Sequence, residues 1–365
     1  MRQFTRYVSR MFLVRFAVVL FAVAGFALLF DMLDVSSKVL RRSDGVVMPL
    51  LRYMALRLPT LLTELLPVVT LVASLLTVVD LLRYRELVVM WNAGLSRRGL
   101  LLCLWPVCAV LLAGKFLIDD RAVPSTIPEL RAMRVGDFKN MMQPGGEHRW
   151  VRSGQDAIRL PADAAAEGRL EDLLILHRDE DGLLLAQIQA ARAEQVEDGL
   201  LLHEVVRRPA GAQPAEQLAS LPWPVHIDLA KVALMSKMPR ELRLTQLVDV
   251  VRNEGFGIAP DEGHRTVLHS RIASSLGLCA LALLPFALPR RFSRLGMSLP
   301  MFAKGLGLGF VYLIFNGVLL ALGEVGLVQS ELGAWLAPLG LILVVLLLAG
   351  IHERRAVPVA PKVRA

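Results

Sequence analysis

Six long apolar runs divide this sequence. They lie at residues 11–33, 59–79, 100–118, 268–288, 301–322 and 332–351. Because an α-helix rises about 1.5 Å per residue, about 20 apolar residues are needed to cross the roughly 30 Å hydrocarbon core of a bilayer. The sequence therefore predicts a membrane α-helical protein with six transmembrane helices.

Composition supports a membrane protein and argues against a nucleic-acid partner. Hydrophobic residues make up 55% of the chain and charged residues only 20%, unlike soluble domains. The formal net charge is +8, but the basic residues cluster beside the apolar runs. They do not form one face interleaved with aromatic residues, as nucleic-acid binding requires.

Within the first apolar run, the stretch 16–30 follows four arginines and resembles a secretory signal in that respect. No small-x-small cleavage site precedes a polar mature chain, however, and five more apolar runs follow,. We therefore expect the first run to remain in the protein as a membrane anchor.

Basic residues predict how the six helices are oriented, because short loops rich in Lys and Arg stay in the cytoplasm. The loops at 80–98 and 289–300 and both terminal segments share one side and carry most of these residues. The connection at 323–331 contains neither Lys nor Arg. Both termini are therefore predicted to be cytoplasmic, in a bacterial inner membrane, with the long segment after the third run in the periplasm.

That long segment, residues 119–240, has the pattern of a β domain. Short apolar or alternating stretches are separated by the Ser-Gly and Asp-Gly pairs typical of turns. The stretches lie at 148–152, 173–177, 183–189 and 199–206. Regularly spaced short strands with such turns predict an antiparallel, jelly-roll-like domain rather than βαβ units.

Three domains follow from these patterns. Residues 1–118 contain three transmembrane helices and the loop 80–98, and residues 119–240 contain the periplasmic β domain. Residues 241–365 contain a linker helix at 242–252 and three more transmembrane helices. The helices are thus predicted to be split three and three around the insertion.

A basic cluster follows the first predicted helix, on the side where orientation disfavours positive charge. It consists of Lys38, Arg41 and Arg42. One explanation is a polyanionic ligand, since each basic residue near an anionic surface contributes about 1 kcal/mol. The other is snorkelling of these long side chains to lipid phosphates. Asp31 and Asp34, on the same helix end, are predicted to be interfacial carboxylates rather than a proton relay.

The predicted cytoplasmic loop at 80–98 contains an apolar run. Five apolar residues follow Arg85 and Glu86: Leu87, Val88, Val89, Met90 and Trp91. Leaving a large apolar side chain in water costs about 1.5–3 kcal/mol, so a short helix here should dock onto the membrane interface or onto a cytosolic subunit. Such a helix between two spans would suit an ATPase as a lever.

Gly305 and Gly309 lie within the fifth apolar run with GxxxG spacing. No strand precedes them, so they do not form a dinucleotide-binding loop. Small residues at this spacing let the backbones of two membrane helices approach closely. These glycines are therefore predicted to form a helix-packing face.

Motifs for catalysis and cofactor binding are missing from the sequence. It contains no phosphate-binding G-x-x-x-x-G-K-[ST] loop, no G-x-S-x-G and no CxxC, and its seven histidines are scattered,. We therefore expect no enzyme activity, no metal and no cofactor, and any ATP must be bound by a partner subunit.

The loop sequence RELVVMWNAGLS, together with six spans split three and three and an outer β-rich insertion, resembles the LptF/LptG permease family of lipopolysaccharide export. The resemblance covers essentially the whole chain. The stretch ELVVM and the fifth-span pattern GLGFVYLIFNG are more similar to LptG than to LptF.

The resemblance implies a heterodimer of LptF and LptG that encloses an outward-facing cavity. Two copies of the ATPase LptB would drive it, and lipopolysaccharide would pass to LptC and LptA. The loop helix would be the coupling helix, with Glu86 as its acidic contact and Arg85, Leu87, Val89, Met90 and Trp91 beside it. Lys38, Arg41 and Arg42 would meet lipid A phosphates, although Asp31 and Asp34 leave open which of them does so.

Two other functions remain compatible with the residues alone. One is a membrane-embedded transferase acting on lipid-linked sugars, which would need a pair of acid/base carboxylates that the sequence does not point to. The other is a scaffold whose outer domain binds an envelope protein. Copurification of a cytosolic ATPase through the loop 80–98 would separate export from both.

Overall fold

A helical unit and a sheet unit make up this computed structural model. The residues it describes are 2–40, 47–133, 148–161, 170–179, 182–196, 199–211, 214–225, 234, 237–252, 262–288 and 299–354. The helical unit comprises Met1–Lys139 and Thr266–Ala365, and the sheet unit comprises Asn140–Arg265.

Six helical segments among the described residues are long and apolar enough to cross a membrane. They are Arg2–Leu33, Val47–Arg83, Arg98–Met133, Glu262–Ala287, Phe302–Glu324 and Ser330–Gly350. Each overlaps one of the six apolar runs, so the prediction of six such helices is confirmed. Most extend past the runs because helical hydrogen bonding continues into flanks whose long polar side chains can reach water.

The first two helices, α1 (Arg2–Leu40) and α2 (Val47–Arg83), pack along one another. Helix α1 contains no proline and runs without a break for 39 residues. Helix α2 contains Pro59 and Pro67, each of which removes a backbone donor from the helical ladder. The chain thus begins with one continuous helix that is longer than a bilayer core requires.

Short helical pieces follow α2, and all of them except the first belong to the third membrane segment. In order, the pieces after α2 are α3 (Glu86–Asn92), α4 (Arg97–Leu102), α5 (Trp105–Leu117), a π-helical turn (Ile118–Ala122) and α6 (Val123–Met133). Ser96 caps α4 by accepting a hydrogen bond from the amide of Gly99 at 3.0 Å,. Because α5, the π turn and α6 are continuous, residues 119–133 belong to the helical unit. The predicted domain boundaries themselves stay predictions.

The remaining helices follow the sheet in the sequence. They are α7 (Leu244–Arg252), α8 (Glu262–Ala287), α9 (Leu299–Glu324) and α10 (Ser330–Arg354). Helix α7 lies within the predicted linker helix at 242–252. Helices α9 and α10 form an antiparallel pair that packs together, joined by a tight turn at Gly326, whose φ is 78°.

Two apolar clusters hold the helical unit together, and α2 contributes to both. The first joins helices α1 to α5 and α8 through buried residues that include Val8, Phe12, Leu81, Leu87 and Leu100. The second joins α2, α8, α9 and α10 through buried residues that include Leu71, Leu75, Leu281, Tyr312 and Leu341. Helix α2 is therefore central to the unit, whereas α1, α9 and α10 leave much of their apolar surface exposed.

The described strands of the sheet unit form one six-stranded antiparallel sheet in the order β1-β2-β3-β4-β5-β6. The strands are β1 (His148–Ser153), β2 (Asp156–Pro161), β3 (Leu170–Arg178), β4 (Leu184–Val196), β5 (Gly199–Pro209) and β6 (Glu216–Trp223). The four predicted stretches overlap β1, β3, β4 and β5, so the antiparallel β domain is confirmed. A jelly-roll topology stays a prediction.

One face of the sheet carries its core. Ile175 is paired with Ile158 on β2 and with Ile188 on β4, and all three side chains are fully buried. Gly199, the first residue of β5, has no room for a side chain, because a Cβ there would lie 2.3 Å from the carbonyl oxygen of Trp223.

Candidate functional site

Helix α3 lies in the loop predicted to contact an ATPase, between two backbone turns. Arg85 precedes α3 in the left-handed conformation, with φ of 57°, which is uncommon for a residue other than glycine. Gly94 follows the helix with φ of 87°, a conformation that glycine adopts readily. These turns separate α3 from α2 and α4 and make it a distinct short element.

The apolar run on α3 divides between the interior and the surface. Leu87 and Met90 are buried in the chain's own helical core, and Trp91 is half-buried against it. Val89 is 64% exposed. The expectation that the whole run needs an external partner was therefore wrong for Leu87 and Met90, which the chain buries itself. Their role in coupling, like that of Trp91, stays a prediction.

Glu86 is held by a residue of α1 that the sequence did not point to. The Tyr7 hydroxyl donates to the Glu86 carboxylate and lies 2.8 Å from Oε1 and 2.9 Å from Oε2. Glu86 also occupies the first turn of α3, where the helix dipole favours negative charge. A shallow groove of about 310 Å³ between α1 and α3 is lined by Phe4, Tyr7, Glu86 and Val89, among others.

An ion pair fixes α1 against the end of α2, just before this loop. The guanidinium of Arg15 donates through Nε and Nη2 to Oδ2 of Asp80, with the Nε contact at 3.0 Å. Both side chains are partly buried, so the pair is less screened than a surface pair would be. Tyr7 and Arg15 therefore connect α1 to both sides of the turn that leads into α3.

The predicted phosphate-binding cluster at the other end of α1 is described only in part. Lys38 lies on α1 with only its backbone described, and Arg41 and Arg42 lie outside the described residues. Asp31 lies earlier on the same helix. It accepts a hydrogen bond from Tyr53 at 2.7 Å and lies 3.3 Å from Nε of the buried Arg57. The charge of Asp31 is thus balanced by a residue of α2.

A buried polar network joins the π turn to its neighbours. Lys115, only 5% exposed, lies 2.6 Å from Asp119, which also accepts a hydrogen bond from Thr63 of α2 at 3.0 Å. The next residue, Asp120, lies 3.4 Å from Nη1 of Arg271 on α8. Consecutive helical residues point in different directions, so the two carboxylates reach different helices. Sequence reasoning had not singled out these residues.

Gly305 and Gly309 mark a close approach between α9 and α2. A Cβ at Gly309 would lie 2.2 Å from a methyl carbon of Leu71, and one at Gly305 would lie 2.9 Å from a methyl carbon of Leu75. Carbon atoms in contact are normally about 3.5–4.0 Å apart. The two glycines therefore face α2 of the same chain, which supports the predicted packing role.

Neither a metal site nor a disulfide is found in the part of the chain that the structure describes. No group of three or more His, Cys, Asp or Glu side chains there is placed to hold a metal ion. The three cysteines are free thiols within the helical unit. The chemistry of the described site consists of hydrogen bonds, ion pairs and apolar surface.

Comparison with known protein families gives a match that covers nearly the whole chain. A family model described as "Lipopolysaccharide export system permease LptF/LptG" matches residues 6–350. That range contains α3, the sheet and all but the outermost turns of the membrane helices. A search of curated proteins found no match.

Proposed function

Because this chain belongs to the LptF/LptG permease family of lipopolysaccharide export, we propose that it is a permease subunit of an ATP-driven exporter. The exporter extracts lipopolysaccharide from the outer leaflet of the inner membrane and passes it to a periplasmic bridge. The chain is the LptG-like subunit, in keeping with the ELVVM stretch and the pattern in α9. Its partners are an LptF-like paralogue, a dimer of an LptB-like ATPase, and LptC-like and LptA-like bridge proteins.

The main support for this proposal is that one side of α3 is buried in the protein and the other side is exposed. Leu87 and Met90 anchor one side of α3 in a core shared with α1, α2 and α4. Val89 remains exposed on the other side, next to Glu86. A helix anchored in this way transmits a push from a bound ATPase directly to the membrane helices. A loosely attached loop would absorb the same displacement.

Glu86 supplies a polar contact for the ATPase without losing its contact to Tyr7. A carboxylate has two oxygens and about four acceptor positions, and the Tyr7 hydroxyl carries one proton. Glu86 can therefore accept a second, charge-assisted hydrogen bond from a basic group of the partner. ATP itself is bound by that partner.

Lipid A phosphates are received by Lys38, Arg41 and Arg42. Asp31 is about 10 Å before Lys38 along α1, from the helical rise, and is already balanced by Arg57. It therefore does not neutralise the basic cluster. Helix α1 also exposes Phe26, Phe30 and Leu33 towards the same end, which suits acyl chains or the paralogous subunit.

The proposed orientation places α3 in the cytoplasm and the sheet in the periplasm, because the loops on the α3 side carry most of the basic residues. Single cysteines at exposed positions test this in intact spheroplasts. A membrane-impermeant thiol reagent should modify Leu183→Cys but not Tyr84→Cys. The reverse labelling pattern would rule out the orientation.

The decisive experiment for export is purification of the protein from its native membrane, with mass spectrometry of the proteins and lipids that accompany it. We expect a cytosolic ATPase, a paralogous permease and lipopolysaccharide. The purified assembly should then move lipopolysaccharide out of proteoliposomes only with ATP. Purification without an ATPase, under conditions that preserve the membrane assembly, would contradict the proposal.

A further inference from the structure

A groove of about 930 Å³ opens at the N-terminal end of α1, far from the predicted phosphate cluster. One wall is α1 and the other is formed by α4 and the start of α5. The lining residues used below are Arg2, Arg6, Arg10, Leu13, Leu102 and Trp105. The hydrogen bond from Ser9 to the carbonyl oxygen of Cys103, at 3.3 Å, joins the two walls at the base.

The polar end of the groove is suited to an anion. Arg2, Arg6 and Arg10 are spaced four residues apart, so they lie on one side of α1 over a length of about 12 Å. No lining residue described for the groove is acidic. Guanidinium groups bind phosphate through paired hydrogen bonds, so the arginine row is complementary to phosphate in both charge and geometry.

The other end of the groove is apolar. Leu13 continues the α1 wall after Arg10, while Leu102 and Trp105 on the opposite wall are 69% and 66% exposed. Tryptophan prefers the level of the lipid headgroups in a bilayer. A ligand that fills the groove must therefore combine an anionic group with a long apolar chain.

This groove lies far along α1 from the end that we propose binds lipopolysaccharide. Arg10 and Asp31 lie on the same continuous helix, and the helical rise places them about 30 Å apart, which is the thickness of the hydrocarbon core. The groove therefore opens in the opposite leaflet from the basic cluster. Its ligand must come from the leaflet at the N-terminal end of α1.

We propose that this groove binds an anionic glycerophospholipid of that leaflet. The phosphate lies between the arginines of α1, and one acyl chain lies against Leu102 and Trp105. The alternative is a diffuse attraction between basic residues and an anionic surface, which would need no groove. The two differ in whether the lipid is held beside Trp105.

Quenching of Trp105 by brominated lipids tests the proposal on the unaltered chain in its purified assembly. The contribution of Trp105 is the difference in fluorescence between the protein and a Trp105→Phe variant. In phosphatidylcholine vesicles, brominated phosphatidylglycerol should quench this contribution much more than the same fraction of brominated phosphatidylcholine. Equal quenching by the two lipids, or none, would overturn the proposal, since the groove would then be non-selective or covered by protein.

A charge-matched pair of variants separates a site from surface attraction. The variant Arg2→Gln, Arg6→Gln, Arg10→Gln should lose the selective quenching, with about a fivefold loss of apparent affinity per arginine. The control Arg83→Gln, Arg98→Gln, Lys304→Gln removes the same charge from exposed residues outside the groove lining. It should keep the selective quenching, and an equal loss in both variants would leave only surface attraction. If the first variant fails to insert in the membrane, the comparison of lipids on the unaltered chain decides.

Discussion

The hydroxyl of Tyr7 donates to the carboxylate of Glu86 across 79 positions of sequence, at 2.8 and 2.9 Å from its two oxygens. The bond joins the N-terminal part of α1 to the first turn of α3. Together with the Arg15–Asp80 ion pair, it ties the first membrane helix to the element that we propose receives the force of ATP hydrolysis.

Reversing the charge of Glu86 should impair coupling more than folding. The variant Glu86→Lys loses the Tyr7 contact and places a cation at the N-terminus of α3, where the helix dipole disfavours it by about 0.3–1 kcal/mol. We expect a membrane-inserted protein with strongly reduced lipid release or with no ATPase after purification. Tyr7→Phe should give a smaller defect of the same kind, whereas Tyr84→Phe should give none. ATP-driven transfer of lipopolysaccharide in proteoliposomes is measured for all three variants. Full transfer by Glu86→Lys would contradict a role of Glu86 in coupling.

Val89 and Leu87 should respond to substitution in opposite ways. Val89 is exposed, so Val89→Asp should leave thermal stability nearly unchanged but weaken ATPase association by placing an unpaired charge in the docked face. Leu87 is fully buried, so Leu87→Ala should destabilise the helical unit by about 2–5 kcal/mol. Thermal unfolding in detergent and copurification of the ATPase provide the two readouts. A Val89→Asp protein that retains the ATPase would show that this side of α3 is not the docking face.

Charge reversal at Arg41 and Arg42 should weaken lipopolysaccharide binding by at least tenfold, since a hydrogen bond to a charged group contributes about 1.5–3 kcal/mol. The double variant Arg41→Glu, Arg42→Glu is compared with Arg121→Glu, Arg208→Glu, which reverses two exposed charges on other elements. Photocrosslinking from position 38 to lipopolysaccharide reports binding. Normal crosslinking and export by the first double variant would identify the cluster as snorkelling residues.

Gly309 and Gly307 form a matched pair for the packing of α9 against α2. A Cβ at Gly309 would overlap Leu71, whereas one at Gly307 would meet no described atom within 4 Å. Gly309→Ala should therefore destabilise the protein by about 1–3 kcal/mol through overpacking, and Gly307→Ala should be neutral or slightly stabilising because alanine favours a helix. Unfolding temperatures measured in the same detergent compare the two, and equal temperatures would contradict the close approach.

Removing one member of the Lys115–Asp119 pair should cost more than removing both. A single variant such as Lys115→Met leaves a buried carboxylate with less compensation, which costs about 3–5 kcal/mol. The double variant Lys115→Met, Asp119→Leu removes both charges and should recover much of that loss, because the Thr63 hydroxyl can still donate to the carbonyl oxygen of Pro59, at 3.2 Å. A double-mutant cycle of unfolding free energies measures the coupling. Additive effects would mean that the two groups do not interact.

Local sequence patterns predicted the membrane helices well, because the hydropathy of a single segment is enough to identify such a helix. They could not predict contacts between segments that are distant in the sequence. The spacing of Gly305 and Gly309 indicated a packing face but not that α2 would fill it. Tyr7 carried no signal at all, because its partner is 79 residues away. The buried side of α3 could have been predicted from the sequence, since Leu87 and Met90 are three residues apart and therefore lie on the same side of a helix.

The missed strands show the same limit. Strand β2 is short and begins with the buried Asp156. This carboxylate accepts a hydrogen bond from Trp223 at 2.8 Å and lies 2.6 Å from Nδ1 of His177. Strand β6 is almost wholly exposed, so it has no apolar alternation to detect. Both strands are specified by neighbours in the sheet rather than by their own composition.

The unbroken length of α1 has a thermodynamic consequence for the proposed exporter. Tyr7 and Lys38 are 31 residues apart on one helix, or about 46 Å from the helical rise, and no proline between them offers a hinge. If a bound lipid favours one tilt of α1, the whole helix adopts that tilt, and the free energy of binding at the other end changes with it. Such linkage is reciprocal: if ATPase docking at α3 loosens the grip on lipid, then lipid at the far end must weaken ATPase docking by an equal factor.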